Sequence, residues 1–580
     1  MDPGLDIDCV EVNLERIQKN WRPLTEILLF SFPFVFLVYF YFQPLVANFS
    51  MAWKAMTSTG TSISSMEIIT RPLIFTFWQA ALSTLLTLLI GFPAAYIFAK
   101  YKFWGKSVFR LLMTLPFIMP TIVVASGFNA LLGPKGWLNI LLQSLFSLDQ
   151  PPIQIMNTLV AILIAHVFYN TTVFIRVVGG AWSQLDPKYE FTARTLGASP
   201  QNVWRHVTLP LLKPAIYSAI LLVFLFNFTS FAVILLLGGP MFATLEVEIY
   251  IQAMHLLNLP VAGILSAIQL LCTLVMTIIY SNLINKKTIS LTYRNPEELE
   301  KPIKTWGERG LIIIYLVFLG ILFVSPLFSL FLRSFIRTES IQNSSGELSS
   351  IFTLSYYQEL FVNRRGSLFY VPPIDAMFNS LYFGLFTVGI ALFFGFLAAK
   401  IISERNLWGR VLDPLLMLPL GTSAVTLGLG FILVFNSPPL DVRSFPLLIP
   451  IVHSLVALPF VVRILQPVIR SIPLSLKYSA QVLGASPWKT WWLIEFPIIF
   501  KATVSAALFA FTISLGEFGA TTFISRPEMP TIPVAIYRYL SQPGSLNYGQ
   551  AMAMSTILMV TCAIAIFLIE RLELPKIKEF

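Results

Sequence analysis

Long apolar segments recur along the whole of this 580-residue chain, and they constrain its fold more than any other feature. Most are about 20 residues or longer, which is the length that a helix needs to cross the hydrocarbon core of a bilayer. Because a helix satisfies its own backbone hydrogen bonds, the pattern predicts an all-α membrane protein. About twelve transmembrane helices are predicted, at residues 25–44, 73–99, 111–132, 157–181, 214–237, 260–284, 309–333, 377–402, 411–435, 447–469, 501–523 and 550–570.

Composition supports the membrane class and argues against a nucleic-acid partner. Only 12% of the residues are charged, whereas about 25% is usual in a soluble chain. The net charge of +10 comes from Lys and Arg in the short links between apolar segments, not from one soluble basic face. The three cysteines, Cys9, Cys272 and Cys562, have no ligand-like spacing, so no metal site is predicted.

Lys and Arg are concentrated in alternate links, which predicts the orientation of the chain. Basic residues precede the first span and fill the links after the second, sixth and eighth spans. The positive-inside rule places such links in the cytoplasm. We therefore expect a multi-pass protein of the cell (inner) membrane with both termini cytoplasmic.

A polar segment between two apolar stretches occurs twice, at residues 190–210 and 477–497. Both copies contain Leu-Gly-Ala-Ser-Pro, and each has a proline 13 residues after its glycine (210 − 197 and 497 − 484). The copies are 287 residues apart (484 − 197). Two copies at the same internal spacing argue against an ordinary loop in which glycine and proline merely mark turns.

The same offset relates further residues, so the two halves of the chain are predicted to be copies. Matched pairs are His166 with His453, Arg176 with Arg463, Phe231 with Phe518 and Tyr250 with Tyr537. Upstream the offset becomes 304, as in Gly91 and Gly395 (395 − 91). We predict two parallel six-helix repeats. They are a first half at 1–285 and a second half at 309–580, with a polar cytoplasmic linker at 286–308.

Local signals within the repeated segment predict a helix-turn-helix bracket on the cytoplasmic surface, at 186–213 and 473–500. Asp186-Pro187 is a helix-start signal, and Gly197 is expected to end the first short helix. Ser199, followed by a proline, can cap a second helix, and Ser486 stands at the matching place in the second copy. Aromatic residues in that second helix, including Trp204 and Trp488, are expected to anchor the bracket to a partner or to the membrane interface.

The repeated segment resembles the coupling motif of permease subunits of ATP-binding-cassette importers. The matching residues are Ala193, Gly197, Ala198 and Pro210 in the first copy and Ala480, Gly484, Ala485 and Pro497 in the second. The chain departs at the leading acid of the motif, where it has Phe191 and Tyr478. The resemblance implies two ATPase subunits at the cytoplasmic face and an extracytoplasmic substrate-binding protein. This chain would itself bind no cofactor, since ATP and Mg are used by the ATPase.

Within that superfamily the chain looks most like fused permeases of the thiamine type, with the iron(III) type next. The supporting segments are 514–521 and 531–540, with weaker counterparts in the first half. No phosphate-binding Gly-x-x-x-x-Gly-Lys-Ser/Thr motif is present, so the chain is predicted to be a transport subunit and not an enzyme. The alternatives are an ion-coupled secondary transporter, which would show more intramembrane acids, and a membrane-embedded enzyme, which would show clustered catalytic groups.

Glu517 is the most prominent polar residue within a predicted span. An ionised carboxylate there costs about 2.5–3.5 kcal/mol, so it should face a partner or a water-filled path. One interpretation places it beside the substrate path, together with Asn227, Thr229 and Ser230; the other makes it a structural carboxylate near a helix end or paired with Arg526. His166 and His453 are predicted to be core hydrogen-bonding residues and not metal ligands.

Overall fold

The protein was analysed as a computed structural model, which describes residues 29–58, 63–239, 241–285, 300–303, 305–337, 352–362, 371–404, 407–438, 440–441 and 444–571. Within these residues the chain is almost entirely helical. The helices of the first half are α1 (Leu29–Thr57), α2 (Ile63–Lys100), α3 (Lys106–Ile118), α4 (Thr121–Leu132), α5 (Trp137–Phe146), α6 (Leu159–Ser183), α7 (Pro187–Thr195), α8 (Pro200–Phe228), α9 (Ala232–Leu237), α10 (Leu245–Tyr250) and α11 (Leu259–Asn285).

The second half repeats this order. Its helices are α12 (Trp306–Phe335), α13 (Ser355–Gln358), α14 (Pro373–Ser403), α15 (Leu407–Met417), α16 (Ala424–Val434), α17 (Leu448–Ser471), α18 (Leu474–Val482), α19 (Pro487–Gly516), α20 (Gly519–Ile524), α21 (Ile532–Leu540) and α22 (Ser545–Arg571). Two short strands, β1 (Tyr101–Lys102) and β2 (Lys301–Pro302), pair in parallel and tie the end of the linker to the first half. A 2.8 Å ion pair between Lys106 and Glu300 supports this contact.

The described residues contain ten helices long and apolar enough to cross a membrane, or twelve if two bent pairs are each counted as one span. The bent pairs begin at α3, with a bend of 109°, and at α15, with a bend of 100°. Both correspond to predicted single spans, 111–132 and 411–435. The all-α membrane class and the count of about twelve are thereby confirmed, whereas the prediction for the termini falls outside the described residues.

Two predicted spans, 214–237 and 501–523, are wrong as continuous helices. In the first half α8 ends at Phe228 and α9 begins at Ala232; in the second, α19 ends at Gly516 and α20 begins at Gly519. The breaks, at 229–231 and 517–518, contain few polar residues and are flanked by apolar ones, so a hydropathy window of span length averages over them.

Each half is built around three packed helices: α2, α6 and α8 in the first, and α14, α17 and α19 in the second. The first helix of each half also packs against the other half. Helix α1 contacts α16, and α12 contacts α4. Across the first of these contacts, Tyr41 Oη lies 2.6 Å from Thr422 Oγ1, and Asn48 donates a 2.8 Å hydrogen bond to the carbonyl of Thr426.

Two glycines allow these crossings to be close. A Cβ atom at Gly430 would lie 2.6 Å from the carbonyl oxygen of Pro44, and one at Gly127 would lie 2.9 Å from that of Pro326. Each glycine thus faces a proline in the first helix of the other half. Each of these two helices thus packs one side against the opposite half, and the two halves form one membrane domain.

Candidate functional site: the paired cytoplasmic loops and the polar centre

The first short helix of each repeated loop is formed by local capping. Helix α7 begins at Pro187, and the carboxylate of Asp186 accepts a hydrogen bond from the backbone N–H of Lys188. Helix α18 begins one residue after Pro473, which is its N-cap residue. Proline suits such a position because it has no N–H that would need an intrahelical partner. The predicted helix starts are confirmed.

Both short helices end at a glycine in the left-handed conformation. The φ angle is +85° at Gly197 and +79° at Gly484. The next amide, of Ala198 or Ala485, bonds back to the carbonyl of Ala193 or Ala480 at 3.0 and 2.9 Å. This is a Schellman-type ending. Three of the four residues that each loop shares with the coupling motif therefore define one turn geometry.

The second helix of the predicted bracket is not a separate element. Ser199 and Ser486 cap it as predicted, but it runs without interruption into the membrane span as α8 or α19. Pro210 and Pro497 lie inside these helices, each two residues after a five-residue π-helical stretch, at Trp204–Thr208 and Trp491–Glu495. A proline cannot donate to the residue four before it, and the π register accommodates that loss. The loop is thus continuous with a transmembrane helix.

An exposed apolar surface covers the tip of each loop. Leu196 is 82% exposed and its equivalent Leu483 is 86% exposed; Phe191 and Tyr478, at the position of the leading acid, are more than half exposed. Large apolar side chains at this exposure, repeated at equivalent positions, indicate a surface that binds another protein.

An ion pair fastens each short helix to the base of a membrane helix. Glu190 lies 3.0 Å from Lys100 Nζ at the end of α2, and it accepts a 3.2 Å hydrogen bond from the Thr208 hydroxyl. At the equivalent positions (190 + 287 and 208 + 287), Lys477 and Glu495 form a 2.9 Å ion pair. The two equivalent positions are therefore joined in both halves, by a hydrogen bond in the first and by an ion pair in the second. We call these contacts the loop clamps.

The clamp also sets the ionisation of Glu190. Burial alone would raise the pKa of this carboxyl, but the hydrogen bond and positive charge of Lys100, aided by Thr208, hold its pKa below the usual 4.5. Glu190 therefore remains charged at neutral pH, when its attraction to Lys100 is strongest.

The tryptophans differ between the two loops. Trp204 stacks on Trp182 of its own half, with ring centroids 5.3 Å apart, and also contacts Phe92. Trp204 is half-buried and fastens the first loop to its own half. Its contact with a partner or with the membrane interface stays a prediction. Trp488 is 67% exposed in the second loop and remains available to a partner or to the interface.

A histidine-centred hydrogen-bond network lies inside each half. His166 lies 3.0 Å from Ser83 Oγ and 2.9 Å from Ser230 Oγ. His453 lies 2.8 Å from both Ser514 Oγ and Thr521 Oγ1. Both histidines are core hydrogen-bonding residues, as predicted. No cluster of three potential metal-ligating side chains is found among the described residues.

Glu517 occupies the break between α19 and α20, and its carboxylate is well supplied with donors. It accepts hydrogen bonds from the amides of Ala520 and Thr521 at 2.8 and 3.0 Å, and from the Thr521 hydroxyl. Its Oε2 also lies 3.3 Å from His453 Nε2. This geometry matches the predicted carboxylate near a helix end. The break also places Glu517 next to Phe518, whose ring stacks on Phe231 of the first half.

The other predicted path residues are also engaged by protein groups. The Asn227 side chain accepts a 2.7 Å hydrogen bond from Asn170 and donates to Thr84, and the Asn227 carbonyl accepts one from Gln79. Thr229 donates back to the carbonyl of Leu225. Asn227 is thus a fully buried junction of the first half, whereas Ser230 and Glu517 are equivalent positions beside the two histidines.

Glu246 is a second buried carboxylate, and the sequence interpretation missed it. It lies on α10, is 2% exposed and accepts a 2.9 Å hydrogen bond from Gln269. The sequence places it in a link next to Glu248, which is typical of an exterior loop. The available signal was the run of apolar residues around it, Leu245, Val247, Ile249 and Tyr250, all of which are buried in the structure.

Comparisons with known proteins agree with this arrangement. The profile of the family described as "Binding-protein-dependent transport system inner membrane component" matches residues 87–288 and 391–578. The two matches begin 304 residues apart (391 − 87), the offset found upstream in the sequence.

Similar proteins span nearly the whole chain. The thiamine transport system permease protein ThiP of Escherichia coli is 24% identical over 541 residues, covering 92% of this chain and 95% of its own length. ThiP of Brucella abortus is 26% identical over 504 residues, covering 86% of each chain. Among solved structures, a chain of a bacterial ABC transporter involved in import of the acidic polysaccharide alginate is 18% identical, with a TM-score of 0.39, covering 48% of this chain and 99% of that chain.

The family match covers both halves and more than half of the residues. It removes the ion-coupled carrier and the membrane-embedded enzyme as alternatives. Both repeated loops lie within the matched residues. The chain belongs to the binding-protein-dependent transport system inner-membrane components, and it is a transmembrane permease subunit of an ATP-binding-cassette importer.

Proposed function

We propose that this permease imports thiamine. The observation that carries the proposal is its full-length similarity to fused thiamine permeases, in which both halves lie in one chain. The buried carboxylate Glu517 is compatible with a cationic substrate. Iron(III) is the competing substrate and is one arm of the experiment below.

We further propose that two ATPase subunits bind the paired loops at the cytoplasmic face and hydrolyse ATP with Mg, while this chain supplies no ATP site. The exposed tips formed by Leu196 and Leu483 would enter grooves of the ATPases. The loop clamps and the continuous helices α8 and α19 would then carry ATPase closure into the two halves. An extracytoplasmic binding protein would deliver substrate at the opposite face, with both termini in the cytoplasm.

The transport cycle follows from differential binding. When the ATPase pair is closed on ATP, it binds one relative position of the two loops more tightly than the other. ATP binding therefore shifts the equilibrium between the inward- and outward-facing arrangements of the two halves. Because each loop is fastened to its own half, a change in the distance between the loops becomes a change in the angle between the halves.

The test is an ATPase assay on the reconstituted permease with its copurified ATPase, to which binding proteins loaded with thiamine or iron(III) are added separately. Stimulation by the thiamine-loaded protein alone is expected. Stimulation by the iron(III)-loaded protein alone would contradict the substrate assignment. Uptake without any associated ATPase would contradict the proposed partners.

A further inference from the structure

Four aromatic side chains from the two halves meet in one cluster. The rings of Phe231 and Phe518, at equivalent positions, stack with centroids 5.4 Å apart and planes at 22°. Tyr250 packs on Phe231 at 5.4 Å, and Tyr537 packs on Phe518 at 5.5 Å. The two tyrosines, also equivalent, lie 6.5 Å apart. We call these four residues the aromatic quartet.

The quartet lies on the pseudo-twofold axis that relates the halves. A residue that touches its own symmetry equivalent must do so at the axis, and here two different equivalent pairs do. A substrate path between two repeats follows this axis. Phe231, Tyr250 and Phe518 are 6, 5 and 3% exposed, and Tyr537 is half-buried. The stacked phenylalanine rings therefore fill the axis at this level.

The helix breaks put the quartet in the part of the membrane that is farther from the loops. Phe231 and Phe518 stand just after α8 and α19, which are 29 and 30 residues long. Beyond the loop segments 186–213 and 473–500, 15 residues of α8 (228 − 213) and 16 of α19 (516 − 500) remain. At 1.5 Å per residue they rise about 23 Å, most of the way across a hydrocarbon core of about 30 Å. The breaks interrupt both helices next to the two phenylalanines, where the rings meet across the axis.

Both buried carboxylates described above are close to the quartet in the chain. Glu517 immediately precedes Phe518, and Glu246 lies four residues before Tyr250 on α10. Neither acid has an acidic equivalent: Ser230 and Pro533 stand at the matching positions of the repeat. The duplication alone does not explain these acids. Burial raises the pKa of the Glu246 carboxyl to about 8, and the basic Arg538 follows Tyr537 and interacts with Tyr250. The charges around the rings are therefore mixed, and a preference for cations rests on the ring faces.

We propose that the aromatic quartet is the gate of the translocation path, and that the ring faces now stacked on one another bind a cationic aromatic substrate when the halves part. The rings lose their partners when the halves separate, and a cationic ring can replace the lost contacts by stacking and cation–π attraction. The gate depends on ring bulk, whereas recognition depends on the aromatic faces. The substrate class rests on the proposed function; the gate does not.

These two roles are separable by paired substitutions in proteoliposomes that contain the permease and its ATPase. F231A/F518A removes both the bulk and the aromatic faces of the two phenylalanine rings. In the absence of ATP and binding protein, proteoliposomes with this variant should release trapped thiamine at least about tenfold faster than those with the parent. F231L/F518L keeps bulk without aromatic faces. It should stay closed, but the thiamine-loaded binding protein should be needed at about tenfold higher concentration for half-maximal uptake.

A matched control is the pair F460A/F509A, which removes a ring contact of 5.2 Å between α17 and α19 within the second half only. It should change neither release nor half-maximal uptake. Release from F231A/F518A no faster than from the parent or from this control would overturn the gate. Unchanged half-maximal uptake in F231L/F518L would overturn recognition by the ring faces.

A second measurement does not depend on thiamine. F231C, in a chain whose native cysteines are replaced by alanine, should react slowly with a membrane-impermeant maleimide at rest and faster when vanadate traps the ATPase. Equal rates in both states would overturn the gate. If the thiamine-loaded protein fails to stimulate the parent while this rate changes, the proposed substrate is wrong and the gate stands.

Discussion

Glu517 and Ser230 show how equivalent residues of the repeat have diverged while keeping their place. Each contacts the histidine of its own half, but only Glu517 also accepts hydrogen bonds from the first turn of the following helix. The positive end of a helix favours a negative charge at this position. The sequence indicates that Glu517 is unusual, but its four donors come from a helix break and from another span, which no local pattern predicts.

Replacement of Glu517 by Gln should destabilise the protein. The substituted amide has one acceptor oxygen, and its NH2 group would face N–H donors, so buried donors would be left without partners. We expect a loss of about 1–3 kcal/mol in unfolding free energy, seen as a lower melting temperature in detergent. Ser230→Ala, which removes a single contact to His166, is the control with the smaller expected loss, about 0.5–1.5 kcal/mol. Equal effects of the two variants would contradict the structural role of Glu517.

Gly484 tests the turn geometry of the second loop. Its φ of +79° is strained for β-branched side chains, although a Cβ atom there would meet nothing within 4 Å. Gly484→Val should therefore deform the loop through its backbone, leaving ATP hydrolysis in place but reducing uptake at least about tenfold. Gly484→Asn, which tolerates the left-handed conformation, should retain most uptake. Uptake and hydrolysis are measured together, and normal uptake by the valine variant would contradict a coupling role.

At the scale of helices, a helix start or end could be predicted from the sequence only where the residues that cause it are close to it in the chain. Asp186, Ser199 and Ser486 act on amides two or three residues away, so the capped helix starts could be predicted from the sequence. The continuity of each bracket with its span could not, because Pro210 and Pro497 suggest a boundary where a π-helical stretch instead carries the chain through. The breaks near Phe231 and Phe518 were also hidden, since apolar residues continue on both sides.

The second loop clamp can be tested by charge exchange. Lys477→Glu should place two acids together and free α18 from the base of α19, which lowers uptake more than ATP hydrolysis. In the parent, Lys477 and Glu495 form an ion pair of 2.9 Å. Adding Glu495→Lys to the first substitution restores a pair of opposite charges at these two positions and should recover uptake. Because the pair is partly exposed, its contribution to overall stability should stay below about 1 kcal/mol. Failure of the double variant to recover uptake would contradict the clamp.

The first clamp should depend on pH. A carboxyl whose pKa is depressed on folding contributes stability that is present above its unfolded value and lost as pH falls through the folded value. For Glu190 the loss therefore begins below the usual 4.5. Amide hydrogen exchange in α7, corrected for intrinsic rates, should be slow at about pH 6 and faster at about pH 3.5. Glu190→Gln should remove this difference, and a difference that persists in that variant would assign it to other groups.

At the scale of the whole molecule, the halves are joined by exchanged helices. Internal repeats and basic links predicted two copies of six spans, but nothing in the sequence indicates that α1 packs on α16 or that α12 packs on α4. Those contacts depend on glycines at 127 and 430 whose partners lie far away in the chain. The spacing of apolar residues along the chain does not indicate which helices contact each other across the two halves.

Because α1 and α12 each pack on the opposite half, we predict that the two halves assemble without the linker that joins them. Two separate chains, divided between residues 285 and 300, should copurify in detergent when expressed together, because each carries a helix that packs on the other. A first half that begins at Ile63, without α1, should copurify much less. Equal recovery with and without α1 would contradict the proposed contribution of the exchanged helix.

The exchange also has a consequence for biogenesis. Asn48 and its hydrogen-bond partner Thr426 are 378 residues apart, so at a synthesis rate of about 5–20 residues per second the first helix waits about 20–75 s for that partner to emerge. During this time its polar groups are in the membrane without their final contacts. Newly made chains thus pass through a long-lived immature stage, in which membrane quality control can act on α1.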